Sequence, residues 1–196
     1  MTANAWLIVG LGNPGSNYEG TRHNIGAISI DYVVSAASNR LSKHKRANAV
    51  VCETRMADTK VILAKPLSYM NESGGPVSGL MDYYDISAER LVVLHDELDI
   101  PAATNRIKFG GGDNGHNGLK SIRAAIGTGD FYRLRLGIGR PDQNQDPADF
   151  VLKKFSKAEK PEIELMVAKT SELLEMLIKE GLAATQNTFH ANGELN

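Results

Sequence analysis

The sequence has a single cysteine and no long run of hydrophobic residues. Cys52 excludes an internal disulfide and, in its apolar surroundings, is expected to be buried packing in a protein kept in a reducing compartment. The longest apolar runs, such as Leu7-Ile8-Val9, suit buried strands and fall far short of the roughly 20 residues that a membrane-spanning helix needs. The N-terminus shows no basic segment followed by an apolar core, so no secretory signal is expected. We therefore expect a cytoplasmic protein without a membrane segment.

The sequence also lacks an excess of either charge, since 22 lysines and arginines face 23 acidic residues and the net charge is −1. This balance does not indicate a nucleic-acid-binding protein. Residues 104–140 differ from the whole, because seven basic side chains there face only Asp113 and Asp130. The basic residues are Arg106, Lys108, Lys120, Arg123, Arg133, Arg135 and Arg140. The local positive excess indicates an anionic partner, although a solvated strand face would explain part of it.

Alternating apolar segments predict an α/β fold. Strands are predicted over residues 6–10, 49–55, 60–64, 91–95, 106–109 and 131–138, and helices over residues 24–39, 73–84, 117–126 and 158–180. The last helix has a capping box formed by Ser156 and Glu159, and Gly181 can end it in the left-handed conformation. The alternation favours one domain over residues 1–196, with helices packed on a mixed, mostly parallel sheet and a loose polar tail from about Gln186.

A glycine-rich turn follows the first strand. Residues 10–15 match the spacing of a dinucleotide-binding loop, which would make the protein a nicotinamide-dependent oxidoreductase. Such a loop opens directly into a helix, whereas here Pro14 fixes the turn and a polar stretch through His23 delays the helix. The nearest acid at the distance of a ribose-binding residue is Asp31, in the middle of a predicted helix. We interpret the turn as a scaffold that presents Asn13 and residues 21–24.

His23 and Asp96 are the candidate catalytic pair. A lone histidine near a helix start is usually structural, but Asp96 follows a buried strand, at the sheet edge where sites are built. An aspartate there can hold an imidazole in one tautomer and stabilise its protonated form. The alternatives for this segment are a turn or helix cap at Asp96 and a metal-ligand group formed by His95, Asp96 and Glu97. Because no second histidine or cysteine lies at a tight ligand spacing, no metal site is expected.

Two further polar segments precede predicted helices. In residues 65–73, Asn71 or Ser73 is either a helix cap or a ligand, and periodicity does not decide between them. Residues 110–118 contain five glycines and lead into a helix N-terminus able to bind anions. A flexible hairpin loop is the alternative for the second segment. It would not require His116 and Asn117 at the start of the helix.

Taken together, these segments resemble the bacterial peptidyl-tRNA hydrolase family. The matching segments are residues 10–15, 21–24, 65–74, 95–99 and 110–118. They occur in the family's order and spacing, and the resemblance extends through about Leu182. It implies a monomeric α/β fold with a twisted mixed sheet between helices, and no cofactor. It also implies hydrolysis of the ester that joins an N-blocked peptide to the 3′-terminal ribose of tRNA.

The resemblance implies a role for each matching side chain. His23 is the general base that activates water, Asp96 orients it, and Asn13 separates blocked from free aminoacyl-tRNA. Contacts with the acyl group and the 3′ end of the substrate are implied for Tyr18, Tyr69, Asn71 and Asn117. Lys108 and Arg135 match basic positions linked to a tRNA phosphate. No serine or cysteine nucleophile stands out, so direct attack by water is favoured, although Ser68 and Ser73 lie in the motifs.

The chain departs from the family pattern at two places. A further basic residue often follows the turn at residues 139–141, but residues 142–145 are Asp-Gln-Asn-Gln, so the phosphate contact is weaker or Arg140 substitutes. Asp113 and Asn114 replace smaller or different residues in the glycine-rich loop. A non-catalytic RNA-binding protein on the same fold is the main alternative. The intact His23, Asp96 and three asparagines weigh against it.

Overall fold

A seven-stranded sheet organises the fold in the computed structural model, which describes residues 4–190. The strands are β1 (Trp6–Gly10), β2 (Ser42–Lys43), β3 (Ala49–Met56), β4 (Thr59–Pro66), β5 (Leu91–Glu97), β6 (Asn105–Phe109) and β7 (Tyr132–Gly137). The helices are α1 (Ile25–Ala36), α2 (Gly74–Tyr84), α3 (Asn117–Ile126), α4 (Pro147–Val151), α5 (Lys160–Ala168), α6 (Thr170–Glu180) and α7 (Leu182–His190). Short 3-10 turns cover Arg22–Asn24, Met70–Glu72 and Ala88–Arg90.

The centre of the sheet is parallel. The strand order is β2-β3-β4-β1-β5-β7-β6, with parallel pairing throughout β4, β1, β5 and β7. The outer pairs are antiparallel. In the central register, Ile8 lies opposite Leu63 on one side and Val92 on the other. The expected mixed, mostly parallel sheet is confirmed.

Helices cover both faces of the sheet, and alternate residues of each strand therefore enter two separate cores. Ile8 of β1 packs in the core formed with α1, α5 and α6. Leu7 and Val9 pack in the core formed with α2 and α3. Because both faces are covered, the central strands read as continuous apolar runs. Cys52 is buried in the first core, as its apolar context predicted.

The C-terminal part of the chain differs most from the prediction. The structure has two helices, divided at Lys169, where a single helix was predicted over residues 158–180. The prediction missed the break because the apolar period continues through both helices. Its capping box forms as expected: Glu159 N–H donates to Ser156 Oγ (3.3 Å), and Ser156 N–H donates to Glu159 Oε2 (2.7 Å). Gly181 ends α6 at φ +85°, but its ψ of 178° is not left-handed helical.

The tail expected to be loose from Gln186 continues helix α7. Gln186 Nε2 donates to the Ile107 carbonyl oxygen (2.9 Å), and His190 Nε2 accepts from the Ile107 N–H (3.0 Å). These polar side chains cover the open edge of β6, which explains why a polar segment is ordered here. The rest of that tail, residues 191–196, lies outside the described residues. No helix within residues 4–190 has the length and apolar character needed to cross a membrane.

Gly26 lets the first turn of α1 lie directly against the sheet. A Cβ atom at Gly26 would stand 2.2 Å from the Leu94 carbonyl oxygen and 2.8 Å from the Leu11 nitrogen. We expect Gly26→Ala to lower the free energy of unfolding by about 1–3 kcal/mol or more, because backbone atoms must move apart. Urea unfolding measures this. The control is Gly75→Ala in α2, where nothing lies within 4 Å and a gain of up to about 1 kcal/mol is expected. Equal stabilities of the two variants would contradict this packing.

Candidate active site

A cleft of about 650 Å³ lies at the carboxyl ends of β1, β4 and β5. Parallel strands end at the same edge of a sheet, so the loops that follow them converge there. Seven of the nine predicted site residues line the cleft: Asn13, Tyr18, His23, Tyr69, Asn71, Asp96 and Asn117. Lys108 and Arg135 do not line it. The structure thus brings the candidate catalytic and acyl-binding residues together and places the two basic residues outside.

His23 and Asp96 form a direct pair. His23 Nδ1 lies 2.9 Å from Asp96 Oδ1 and 3.1 Å from Oδ2, although the residues are 73 positions apart. The His23 ring is supplied by the 3-10 turn Arg22–Asn24, and Asp96 by the end of β5. Since a carboxylate only accepts, Nδ1 carries the hydrogen and Nε2 keeps its lone pair in the neutral ring. His23 can therefore accept a proton at Nε2.

His116 is a second imidazole on the same carboxylate, and the sequence prediction did not place it in the site. His116 Nε2 lies 2.8 Å from Asp96 Oδ1. His116 Nδ1 accepts from the backbone N–H groups of Gly118 (3.1 Å) and Leu119 (3.4 Å), so it caps helix α3. An accepting Nδ1 requires the hydrogen on Nε2, which donates to Asp96. The only sequence signal was the position of His116 directly before the helix.

The two imidazoles keep Asp96 ionised in a buried place. Burial alone raises the pKa of the Asp96 carboxyl, but electrostatic attraction to His116 and His23, together with their hydrogen bonds, outweighs it and holds the pKa well below its ordinary value. Asp96 is only 5% exposed. Its negative charge can therefore stabilise a proton gained by His23 during a reaction.

His95 is buried beside this pair but is not part of it. Its Nδ1 lies 2.7 Å from the backbone oxygen of Asp96, to which it donates. Burial, followed by the electrostatic effect of His116, lowers the pKa of His95 to about 3. His95 therefore stays neutral and fixes the backbone that carries the candidate catalytic carboxylate.

Ligand spacing along the sequence did not reveal that a second histidine, His116, lies beside Asp96 in the fold. Ligand atoms of His23, Asp96 and His116 lie within 4.8 Å of one another, a spacing that could hold a metal ion. A metal ion there would replace the two imidazole hydrogens now directed at Asp96. The alternative group of His95, Asp96 and Glu97 is not among the clusters of described residues whose ligand atoms converge in this way.

Asn24 fixes the position of Asn13, and the sequence prediction overlooked this role. Its side-chain oxygen accepts from the Asn13 N–H (2.8 Å), and its nitrogen donates to the Asn13 carbonyl oxygen (2.9 Å). The side chain of Asn13 accepts from the Met70 N–H through Oδ1 (2.7 Å). The two N–H bonds of the Asn13 amide are thereby left for the cleft.

The remaining cleft residues surround Asn13 and His23. The rings of Tyr18 and Tyr69 meet edge to face with centroids 6.3 Å apart, and Tyr69 is 54% exposed. Asn71 lies in the 3-10 turn after β4, and Asn117 is the first residue of α3. They offer aromatic surface and neutral amides around the candidate catalytic pair.

Lys108 and Arg135 lie beside the cleft on one face of the β6–β7 pair. Arg106 lies opposite Arg135 and Lys108 opposite Arg133 in the antiparallel register, so all four basic residues share a face. Burial, followed by the charges of Arg135 and Arg133, lowers the pKa of Lys108. Arg135 Nε donates to Glu97 Oε2 (3.1 Å). Arg133 is fully buried, but the partly exposed Arg106, Lys108 and Arg135 can attract an anion outside the cleft.

Arg140, the possible substitute for the missing basic residue, lies at the rim of the cleft and pairs with Asp99 (Nε to Oδ1, 2.8 Å). The segment that follows residues 142–145 forms helix α4, and Asp146 caps its first turn. Arg140 is thus on the cleft side, apart from the Lys108 face.

Arg22, the neighbour of His23, ties this turn to the C-terminal part of the chain. Its guanidinium donates to both oxygens of Glu159 (2.8 and 2.9 Å) and to the Lys154 carbonyl oxygen (2.9 Å). It also lies 4.3 Å from the centroid of the Phe150 ring. Because α4 supplies part of the cleft wall through Val151, Arg22 fixes that wall relative to His23.

Comparison with known proteins gives one consistent result. The peptidyl-tRNA hydrolase family model matches residues 7–196. A peptidyl-tRNA hydrolase of Frankia alni is 53% identical over 186 residues, covering 95% of this chain and 94% of the relative. One from Kineococcus radiotolerans is 48% identical, covering 96% and 98%. The solved structure of peptidyl-tRNA hydrolase from Acinetobacter baumannii has a TM-score of 0.89 at 32% identity and covers 97% of both chains.

His95 makes the stability of the fold depend on pH. Its pKa is about 3 in the fold against 6.5 as the ordinary value, so between these values the unfolded chain binds the extra proton and stability falls as the pH drops. Between about pH 7 and about pH 5 we expect wild type to lose about 2 kcal/mol more than His95→Gln. Urea unfolding at both pH values measures the difference. An equal loss of stability in both proteins would show that His95 takes up its proton in the folded protein as readily as in the unfolded chain.

Proposed function

The chain belongs to the peptidyl-tRNA hydrolase family and hydrolyses peptidyl-tRNA, and we propose that it does so with a water molecule activated by His23. The observation that carries this proposal is the His23–Asp96 pair, whose geometry leaves Nε2 of the neutral imidazole unprotonated. An imidazole can act as a base near neutral pH. An ester has a better leaving group than an amide, so such a base is sufficient.

The reaction then proceeds as direct attack by water. His23 Nε2 takes a proton from water while the water oxygen attacks the ester carbonyl carbon. The imidazolium that results is stabilised by the buried negative charge of Asp96. As the carbon–oxygen bond to the ribose breaks, the proton passes to the departing ribose oxygen. The products are the free peptide and a tRNA with an intact terminal hydroxyl.

Neutral amides supply the remaining polar contacts. Asn13, Asn71 and Asn117 line the cleft around the catalytic pair and can donate to the developing oxyanion or hold the attacking water. The side-chain N–H groups of Asn13 suit recognition of the carbonyl oxygen of the acyl group that blocks the α-nitrogen. Asn24 already holds the backbone of Asn13, and the Met70 N–H holds its side-chain oxygen.

Contacts with the acyl group and the 3′ end are proposed for Tyr18 and Tyr69, whose rings form one edge-to-face surface in the cleft. We assign a tRNA phosphate to Lys108 and Arg135, since they lie outside the cleft and share a basic face. The proposed site residues all lie in one chain, which supports a monomer as the active form, and we propose that it acts in the cytoplasm.

The test of this proposal is turnover of N-acetyl-aminoacyl-tRNA without an added cofactor. His23→Ala should lower turnover by about 10²–10⁴ while leaving substrate binding largely intact. Asp96→Asn should also slow turnover, because an amide can favour the wrong imidazole tautomer. A chelator should leave the wild-type rate unchanged. Near-normal turnover of His23→Ala would exclude His23 as the base, and loss of activity with the chelator would favour a metal at the His23, Asp96 and His116 group.

Asn13 is expected to set the preference for a blocked substrate. Asn13→Ala should narrow the ratio of rates on N-acetyl-aminoacyl-tRNA and free aminoacyl-tRNA, because the amide that recognises the blocked nitrogen is removed. The control is Asp96→Asn, which should slow both substrates and keep the ratio. An unchanged ratio in Asn13→Ala would assign the discrimination to another residue.

A further inference from the structure

Asn114 joins the glycine-rich loop, residues 110–116, to the end of β5. Its side-chain nitrogen lies 3.1 Å from Glu97 Oε1 and 2.7 Å from Asp99 Oδ2. Because carboxylates only accept hydrogen bonds, the amide must present its two N–H groups to them. The residue has a φ of +49°, a conformation that asparagine tolerates better than most side chains. The tip of the loop is thus held across the edge of the cleft.

Asn114 is connected both to Arg135 outside the cleft and to Asp96 inside it. Glu97 is buried, and its other oxygen accepts from Arg135 Nε (3.1 Å). Glu97 directly follows Asp96 in β5, and Asn114 lies two residues before His116, which bonds Asp96. The Asn114 side chain therefore connects Arg135 outside the cleft, through Glu97, with the loop whose His116 contacts the catalytic carboxylate of Asp96 inside the cleft.

The base of the loop is attached to other elements. Arg133 donates to the carbonyl oxygens of Gly110 and Gly111, and Arg123 pairs with Asp113 (2.8 Å). These contacts hold the loop to β7 and α3. The side chain of Asn114 connects the loop's tip to Glu97, the last residue of β5, and to Asp99 beyond it, while His116 at the end of the loop contacts Asp96 of the same strand. A change at Glu97 can therefore reach the loop through Asn114.

We propose that Asn114 is a positioning residue that couples phosphate binding at Arg135 to the His116–Asp96 contact. The inference rests on the phosphate role proposed above for Arg135. A phosphate competes with Glu97 for the same guanidinium. When Arg135 turns to the phosphate, the buried Glu97 carboxylate depends more on its other donors, Asn114 and the Asp99 N–H (3.1 Å). The stronger hold on Asn114 keeps the loop, and His116 with it, in the position where His116 Nε2 lies 2.8 Å from Asp96.

The coupling predicts a kcat effect for a distant phosphate. Wild type should turn over N-acetyl-aminoacyl-tRNA with a higher kcat than an acylated CCA fragment, which lacks that phosphate. Asn114→Gly keeps the positive φ without strain and removes only the amide. It should lower kcat on the whole tRNA at least about fivefold, and leave the KM for this substrate and the kcat on the fragment nearly unchanged.

Two further variants separate the possible causes. Arg135→Ala should raise KM for the whole tRNA and remove its kcat advantage, and adding Asn114→Gly should then lower kcat no further. Asp113→Ala is the matched control, because it removes the loop's contact with Arg123 of α3 and a bond within the loop to the Gly115 N–H (3.2 Å), and leaves the contacts of Asn114 in place. Any effect of this control should be alike on both substrates.

The results of these experiments separate the coupling from the phosphate role proposed for Arg135 and the base role proposed for His23. Equal effects of Asn114→Gly on the tRNA and the fragment, with Arg135→Ala still selective for the tRNA, would overturn the coupling and leave the phosphate site intact. If Arg135→Ala acts alike on both substrates, the phosphate role fails and the coupling fails with it. Neither result would alter the assignment of His23, which its own variant tests.

Discussion

The buried carboxylate of Asp96 is the constraint on which the rest of the site depends. A charge at 5% exposure costs several kcal/mol unless hydrogen bonds compensate it. Here His23, before α1, and His116, before α3, each direct an N–H group at it. These helices pack on opposite faces of the sheet, so one charge at the end of β5 fixes both. The hydrogen bonds of the proposed catalytic residues and the packing of the two helices therefore both serve to compensate this buried charge.

Local patterns were sufficient for most of the fold. Strand β1 and helix α3 begin and end at the predicted residues, since an apolar run or period marks each of them. The capping box of Ser156 and Glu159 forms because both partners lie within one turn. Seven predicted site residues share the cleft, because parallel strands place the loops that follow them at one edge.

Contacts between distant residues were beyond local patterns. His116 reaches Asp96 across 20 positions and Asn24 holds the Asn13 backbone across 11, and in neither contact do the two partners lie in one helix or strand. Helix α7 is stabilised by hydrogen bonds that join Gln186 and His190 to the edge strand β6. The composition of the tail does not reveal these contacts. The division at Lys169 leaves the apolar period unbroken and so gives no signal.

The tie between Arg22 and Glu159 has a consequence for synthesis of the protein. It joins residues 137 positions apart, and the turn that bears His23 is held by this contact. A ribosome makes the His23 turn early but its anchor late, and contacts so far apart in sequence form slowly. The active site is therefore completed only when most of the chain has been made. An unfinished copy of the chain is itself a peptidyl-tRNA. Because its site is not yet assembled, it cannot hydrolyse its own ester bond or that of another unfinished chain.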